Sequence, residues 1–166
     1  MAASYTDNDL VKANDLLLYI FTGSTSATSV PVAFGTSAGI QIDGQTISAN
    51  NKMACKWQTN MAGNNSYTVS SDSLYTDTAD DFSFDDLLAL QIAGNPVKWA
   101  LAQPTSASTS ACPGTYELDS SKVTACGSGL ITSLSLNAGV DEVASCSATI
   151  TGSGAIYQNL TNLFAS

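Results

Sequence analysis

The chain has 166 residues, no His, no Arg, five Lys and fourteen acids, for a net charge of −9. That balance argues against holding nucleic acid by its phosphates, which takes Lys and Arg, and the missing imidazole removes most general-base schemes and most catalytic zinc sites. Charged residues are only 11% of the chain, and Ser, Thr, Asn and Gly fill the polar positions, a profile of turn-rich β-structure whose surface meets other subunits.

The length suits one domain over residues 1–166. Residues 1–14 are polar, with Asp7 and Asp9 against Lys12, and read as a short helix or as an arm that orders only against a neighbour. Leu16 to Phe21 is an uninterrupted apolar run ended by Gly23, long enough for a buried strand and short for a helix. Val30 to Phe34 reads as a short strand that Pro31 confines to an edge, and Gly35 to Gly39 as a turn.

Ile40-Gln41-Ile42 alternates into Asp43-Gly44, and Thr46-Ile47-Ser48 leaves it, so Asp43-Gly44 reads as a hairpin turn. The alternation resumes at Met53, Cys55 and Trp57; Met61 to Asn65 reads as a further turn, and Tyr67 and Val69 as the next strand. Residues 46–58 together form a long hairpin that carries Lys52 and Lys56, two of only five positive charges. An isolated hairpin is marginal in water, so Thr46, Ile47, Lys52 and Lys56 are expected to serve assembly on a partner surface of opposite charge.

Ser83-Phe84-Asp85-Asp86 opens the one clear helix: Ser83 caps, the acids favour the positive end of the helix dipole, and Gly94 and Pro96 stop it. Its expected buried stripe is Phe84, Leu87, Leu88 and Ile92. Val97, Trp99 and Leu101 alternate in a further strand, Pro104 to Gly114 is a loop, and Tyr116 to Leu118 a short strand.

The stretch from Gly127 to Gly154 reads as a closing antiparallel hairpin turning at Asn137 to Asp141. Leu130, Thr132, Leu134 and Leu136 share one face of its first strand, and Ala144, Cys146, Ala148 and Ile150 one face of its second; this apolar face is expected inward, closing a sheet or sandwich. The tail over 155–166 is apolar enough to dock.

Nothing in this pattern supplies chemistry. The acids Asp77, Asp80, Asp81, Asp85 and Asp86 lack the Gly and the terminal Glu of a calcium loop, and read as charge at a helix start. Gly152-Ser153-Gly154 lacks the further residues and the helix of a phosphate loop. Cys55, Cys112, Cys126 and Cys146 have no metal spacing; Cys146 reads as a buried thiol, and Cys112 and Cys126 flank a segment that would let them pair, although reduced is the default in a cytosolic chain. No catalytic residue, metal or cofactor is expected. No charged and apolar leader opens the chain, and no apolar run approaches the ~20 residues of a membrane span, so synthesis in the cytoplasm and no membrane contact are expected.

The order of these segments resembles the major tail protein, or tail tube, family of long-tailed bacteriophages. The resemblance rests on the early apolar strand, IQIDGQTISANNK, the YTVSSDSLY strand, the short helix, PVKWAL and the closing GLITSLSLNAGVDEVASCSATITGSG. It implies a mainly β fold with one short α-helix, an antiparallel β-sandwich or half-barrel. It also implies a structural virion protein whose hexameric rings stack into a tube for genome ejection. The expected partners are then further copies of the chain and other tail proteins, such as tape measure, terminator and baseplate or tip, with DNA passing through unbound. The place of such a protein is the virion tail. A contractile-tail or type VI-like tube would use the same fold, and a capsid-decoration or adhesion β-domain is the reading from another class.

Overall fold

The computed structural model describes residues 15–23, 29–49, 59–77, 81–105 and 116–165. Its elements are β1 (Leu17–Phe21), β2 (Ser29–Pro31), β3 (Gly35–Ser48), β4 (Asn60–Leu74), α1 (Phe84–Ala93), β5 (Val97–Pro104), β6 (Leu118–Asn137), β7 (Ser145–Gly152) and α2 (Leu160–Phe164). The strands form one seven-stranded sheet in the order β2-β1-β5-β6-β7-β4-β3, with every pairing antiparallel. The sheet curls so far that β1 meets β3, and Leu16 to Leu18 share the lining of one pocket with Gly35 to Ala38. Of the sandwich and the half-barrel that the family resemblance implies, a single curled sheet is the half-barrel.

Two apolar clusters hold it. On one face Leu18, Ile20, Val69, Trp99, Leu101, Cys146 and Ile150 close around Leu87 of α1. On the other face of β1, β5 and β6, Phe21, Ala100 and Cys126 are covered by Leu160 and Leu163 of α2. β1 is therefore buried on both faces, which is why its sequence is an unbroken apolar run. Lys98 fixes α2 in place: its Nζ donates to the Leu163 carbonyl at 3.1 Å and lies 4.4 Å from the centre of the Phe164 ring. The tail does dock, and it does so as a second helix where the sequence suggests only one.

Four other expectations are corrected. Asp43-Gly44 is no turn: β3 runs through it, with a register shift between Gly44 and Thr46. The only positive-φ glycines among the described residues are Gly94 and Gly154, so Gly44 lacks the conformation a two-residue hairpin turn demands. Likewise Gly35 to Gly39 and Met61 to Asn65 are strand rather than turn. Tyr116 to Leu118 is not a separate short strand, because β6 starts at Leu118 and runs unbroken into the closing hairpin.

In β6 a bulge at Thr132 shifts the alternation, so Ile131 points into the core while Leu130 is exposed; Leu134 keeps its expected side. In α1 the buried side is Leu87, with Phe84 and Leu90 partly buried against the core, while Leu88 and Ile92 are exposed. The capping expectation holds: the Ser83 N–H donates to the Asp86 carboxylate at 3.2 Å, and Gly94 ends the helix in the left-handed conformation.

Candidate assembly surface

β3 and β4 have 14 and 15 residues, far longer than β1, β2 and β7. β7 pairs with β4 only from Leu74 to Thr68. From Asp43↔Ser66 to Ser48↔Asn60, β3 and β4 have only each other, and they leave the sheet as a two-stranded ribbon. From Asn60 to Tyr67 the strand gives it a reach of roughly 25 Å. Apolar side chains along it are not covered: Ile47 and Met61 on the ribbon, and Ile42 at its root opposite Tyr67, are each more than half exposed. A ribbon of this kind is unstable by itself, and three bulky apolar residues in water call for a partner.

The root of the ribbon is clamped by Tyr67. Its ring stacks at a tilt on Trp99, centre to centre 5.7 Å, and its hydroxyl donates to the Ser128 carbonyl at 2.6 Å. The Ser153 N–H donates to the same carbonyl at 2.7 Å. A Cβ placed on Gly152 would lie 2.3 Å from the Tyr67 ring, and one on Gly127 would lie 2.7 Å from its hydroxyl. The paired Gly-Ser-Gly segments are thus the floor on which the Tyr67 ring rests.

Where α2 does not cover it, on β3, β4, β7 and the adjoining part of β6, the sheet face opposite the main core is polar. Asp72 stands at its centre and accepts from Ser37 of β3 at 2.8 Å and from Ser147 of β7 at 2.7 Å. These two hydroxyls hold its carboxyl below the usual range, so the charge persists into mild acid. Gln41 donates to Asp43 at 3.2 Å on β3, and Thr132 and Thr151 lie 2.9 Å apart across β6 and β7. Of the two described lysines, Lys98 is taken up by α2 and Lys122 lies 3.9 Å from Asp119, at the N-terminal end of β6.

Of the sequence-predicted assembly residues, Thr46 and Ile47 lie on the ribbon, opposite Ala62 and Met61. Lys52 and Lys56 lie outside the described residues, as do residues 1–14 and Cys55 and Cys112. Sequence reading missed Ile42, Met61 and Asp72. Length was no signal for the ribbon, since β6 is longer at 20 residues and stays paired inside the sheet from Leu118 to Asn137.

The described thiols are poor nucleophiles. Cys126 is free and buried, contacts the carbonyls of Tyr157 and Asn159 at 3.4 and 3.2 Å, and is pushed up to about 11 by burial. Burial raises Cys146 too. Among the described residues no group of three or more His, Cys, Asp or Glu is placed to hold a metal ion, and no helix is long and apolar enough to cross a membrane.

A family model described as phage tail tube protein matches residues 10–158. The chain belongs to that family. Its role is structural, as a subunit of the phage tail tube, and its place is the virion tail. The fold of this tail tube chain agrees with solved structures at low sequence identity. The tail of an empty gene transfer agent particle, computed with helical refinement and C6 symmetry, aligns at TM-score 0.70 and 15% identity, over 90% of this chain and 99% of that one. The SPP1 tail tube aligns at TM-score 0.66 and 10% identity, over 95% and 86%. A chain of the anti-feeding prophage baseplate aligns at TM-score 0.55 and 8% identity, over 95% and 97%. Among curated protein sequences nothing matches the chain.

Proposed function

We propose that this tail tube chain closes into six-membered rings that stack into a channel for genome ejection, with the β3–β4 ribbon as the arm that binds the next subunit. The observation that carries this reading is the ribbon itself, with Thr46 and Ile47 on it and Lys52 and Lys56 between its strands in sequence. The acidic body would be the surface that those lysines meet. The polar face around Asp72 is the candidate lumen wall. Synthesis in the host cytoplasm, assembly with tape measure, terminator and baseplate proteins, and the lack of any catalytic activity or cofactor belong to the same reading.

Electron microscopy of the purified protein tests it: rings with six-fold class averages, and tubes at higher concentration, are expected. Deleting Asn50 to Lys52 should leave a folded chain that no longer polymerises. Tubes of normal length from that variant would sink the role given to the ribbon. A chain that stays monomeric at every concentration would favour a decoration or adhesion domain instead.

A further inference from the structure

The strand register places a second exposed surface at the other end of the same strands. Along β4 the ribbon ends at Asn60, opposite Ser48, while Leu74 pairs with Ser145 of β7, and Ser145 with Asn137 of β6. The β6–β7 turn, residues 138–144, therefore lies beyond Leu74, about 45 Å of strand away from the ribbon end. It is firmly joined to the sheet there, because the Tyr75 N–H donates to the Ala144 carbonyl at 2.8 Å.

The side chains on this turn suit a contact rather than a fold. Val140 is 92% exposed and Val143 69% exposed, so neither contributes to the core. Between them stand Asp141 and Glu142, and Asp141 takes a left-handed backbone, φ 63°, that presents the pair at the tip. At the opposite end of the strands the ribbon carries exposed Ile47 and Met61, and residues 50–58 contain two Lys and no acid. One end of the molecule is apolar and basic in sequence, and the other is apolar and acidic.

We infer that the β6–β7 turn, Val140 to Val143, is the docking surface for the ribbon end of a second copy of this chain in the adjoining ring. The inference rests on the tube reading above and names the acceptor that reading leaves open. A contact between unlike ends of identical chains is heterologous, and without rotation to close it, it propagates as a filament. Apolar contact between valines and the Ile47–Met61 pair supplies adhesion, and the acid–lysine pairing sets which end meets which.

The test is a charge exchange. In Asp141→Asn/Glu142→Lys the Asn tolerates the left-handed backbone and the Lys sits on an exposed turn, so the fold is kept. This variant should form rings but lose pelletable tubes. Adding Lys52→Glu/Lys56→Glu to it should restore them. Val140→Lys, at an almost fully exposed side chain, should also block stacking and leave rings. Tubes as abundant as wild type from the turn variants, or no restoration in the combined variant, overturns the docking assignment while the tube reading stands. A wild-type chain that forms neither rings nor tubes overturns both.

Discussion

Tyr67 shows how one residue ties sequence pattern to function. Its position in the alternation of β4 turns it inward, its ring needs a flat floor, and glycine alone provides one. Gly152→Ala puts a methyl 2.3 to 2.5 Å from three ring carbons, too close for any rotamer adjustment at a residue held by Trp99 and the Ser128 carbonyl. Overpacking of this kind costs about 1–3 kcal/mol. A urea unfolding midpoint should fall accordingly. Because Tyr67 is also the last core residue before the ribbon leaves the sheet, tube yield should fall further than that stability loss alone predicts. A variant as stable as wild type would show that the glycine floor is dispensable.

Among the elements, α1 separates packing from display. Leu87 is 1% exposed and Ile92 78% exposed, though both belong to the helix stripe that the sequence suggests. Leu87→Ala should cost about 2–5 kcal/mol, as truncation of a buried leucine does, whereas Ile92→Ser should change stability by no more than ~0.5 kcal/mol. Thermal melts of the two variants check the assignment, and a large loss at Ile92 would contradict it. The sequence shows the strands well where burial imposes period two, as in β5 and β7, or an unbroken apolar run, as in β1, and shows the helix where capping residues announce it. It misleads where tertiary pairing overrides a local signal. Asp43-Gly44 prefers a turn locally, but twelve rows of pairing with β4 outweigh that preference. The bulge at Thr132 leaves no mark in composition, so the inward side assigned to Leu130 just before it is reversed. A strand pair leaving Thr46 was legible, but its return strand was not: Met61 to Asn65 reads locally as a turn, whereas it pairs with Gly44 to Ile47 as part of β4.

At the scale of the whole molecule the question is what a ring of such chains presents to DNA. The polar sheet face carries Asp43 and Asp72 among Ser, Thr and Gln side chains, and neither described Lys joins it. Asp72 stays ionised below the usual carboxylate range, because the two hydroxyls that donate to it stabilise the charged form. With this face toward the channel, as proposed above, ring symmetry would repeat each acid around it and turn a small bias per chain into a negative band. Transit needs this: each Lys–phosphate contact would add attraction and salt-dependent drag, and no Arg exists in the chain to make one. The channel is therefore expected to be electronegative, and assembled tubes should release duplex DNA at ~0.15 M salt, where the Debye length is about 8 Å. Asp43→Lys/Asp72→Lys should reverse the sign of the band and make tubes retain DNA in a co-sedimentation assay. Wild-type tubes that retain duplex DNA at that salt, or a ring structure whose channel-facing residues are net positive, would refute the repelling channel. Tubes lined by neutral Ser and Thr, with Asp43 and Asp72 facing outward, would refute the assignment of this face to the lumen.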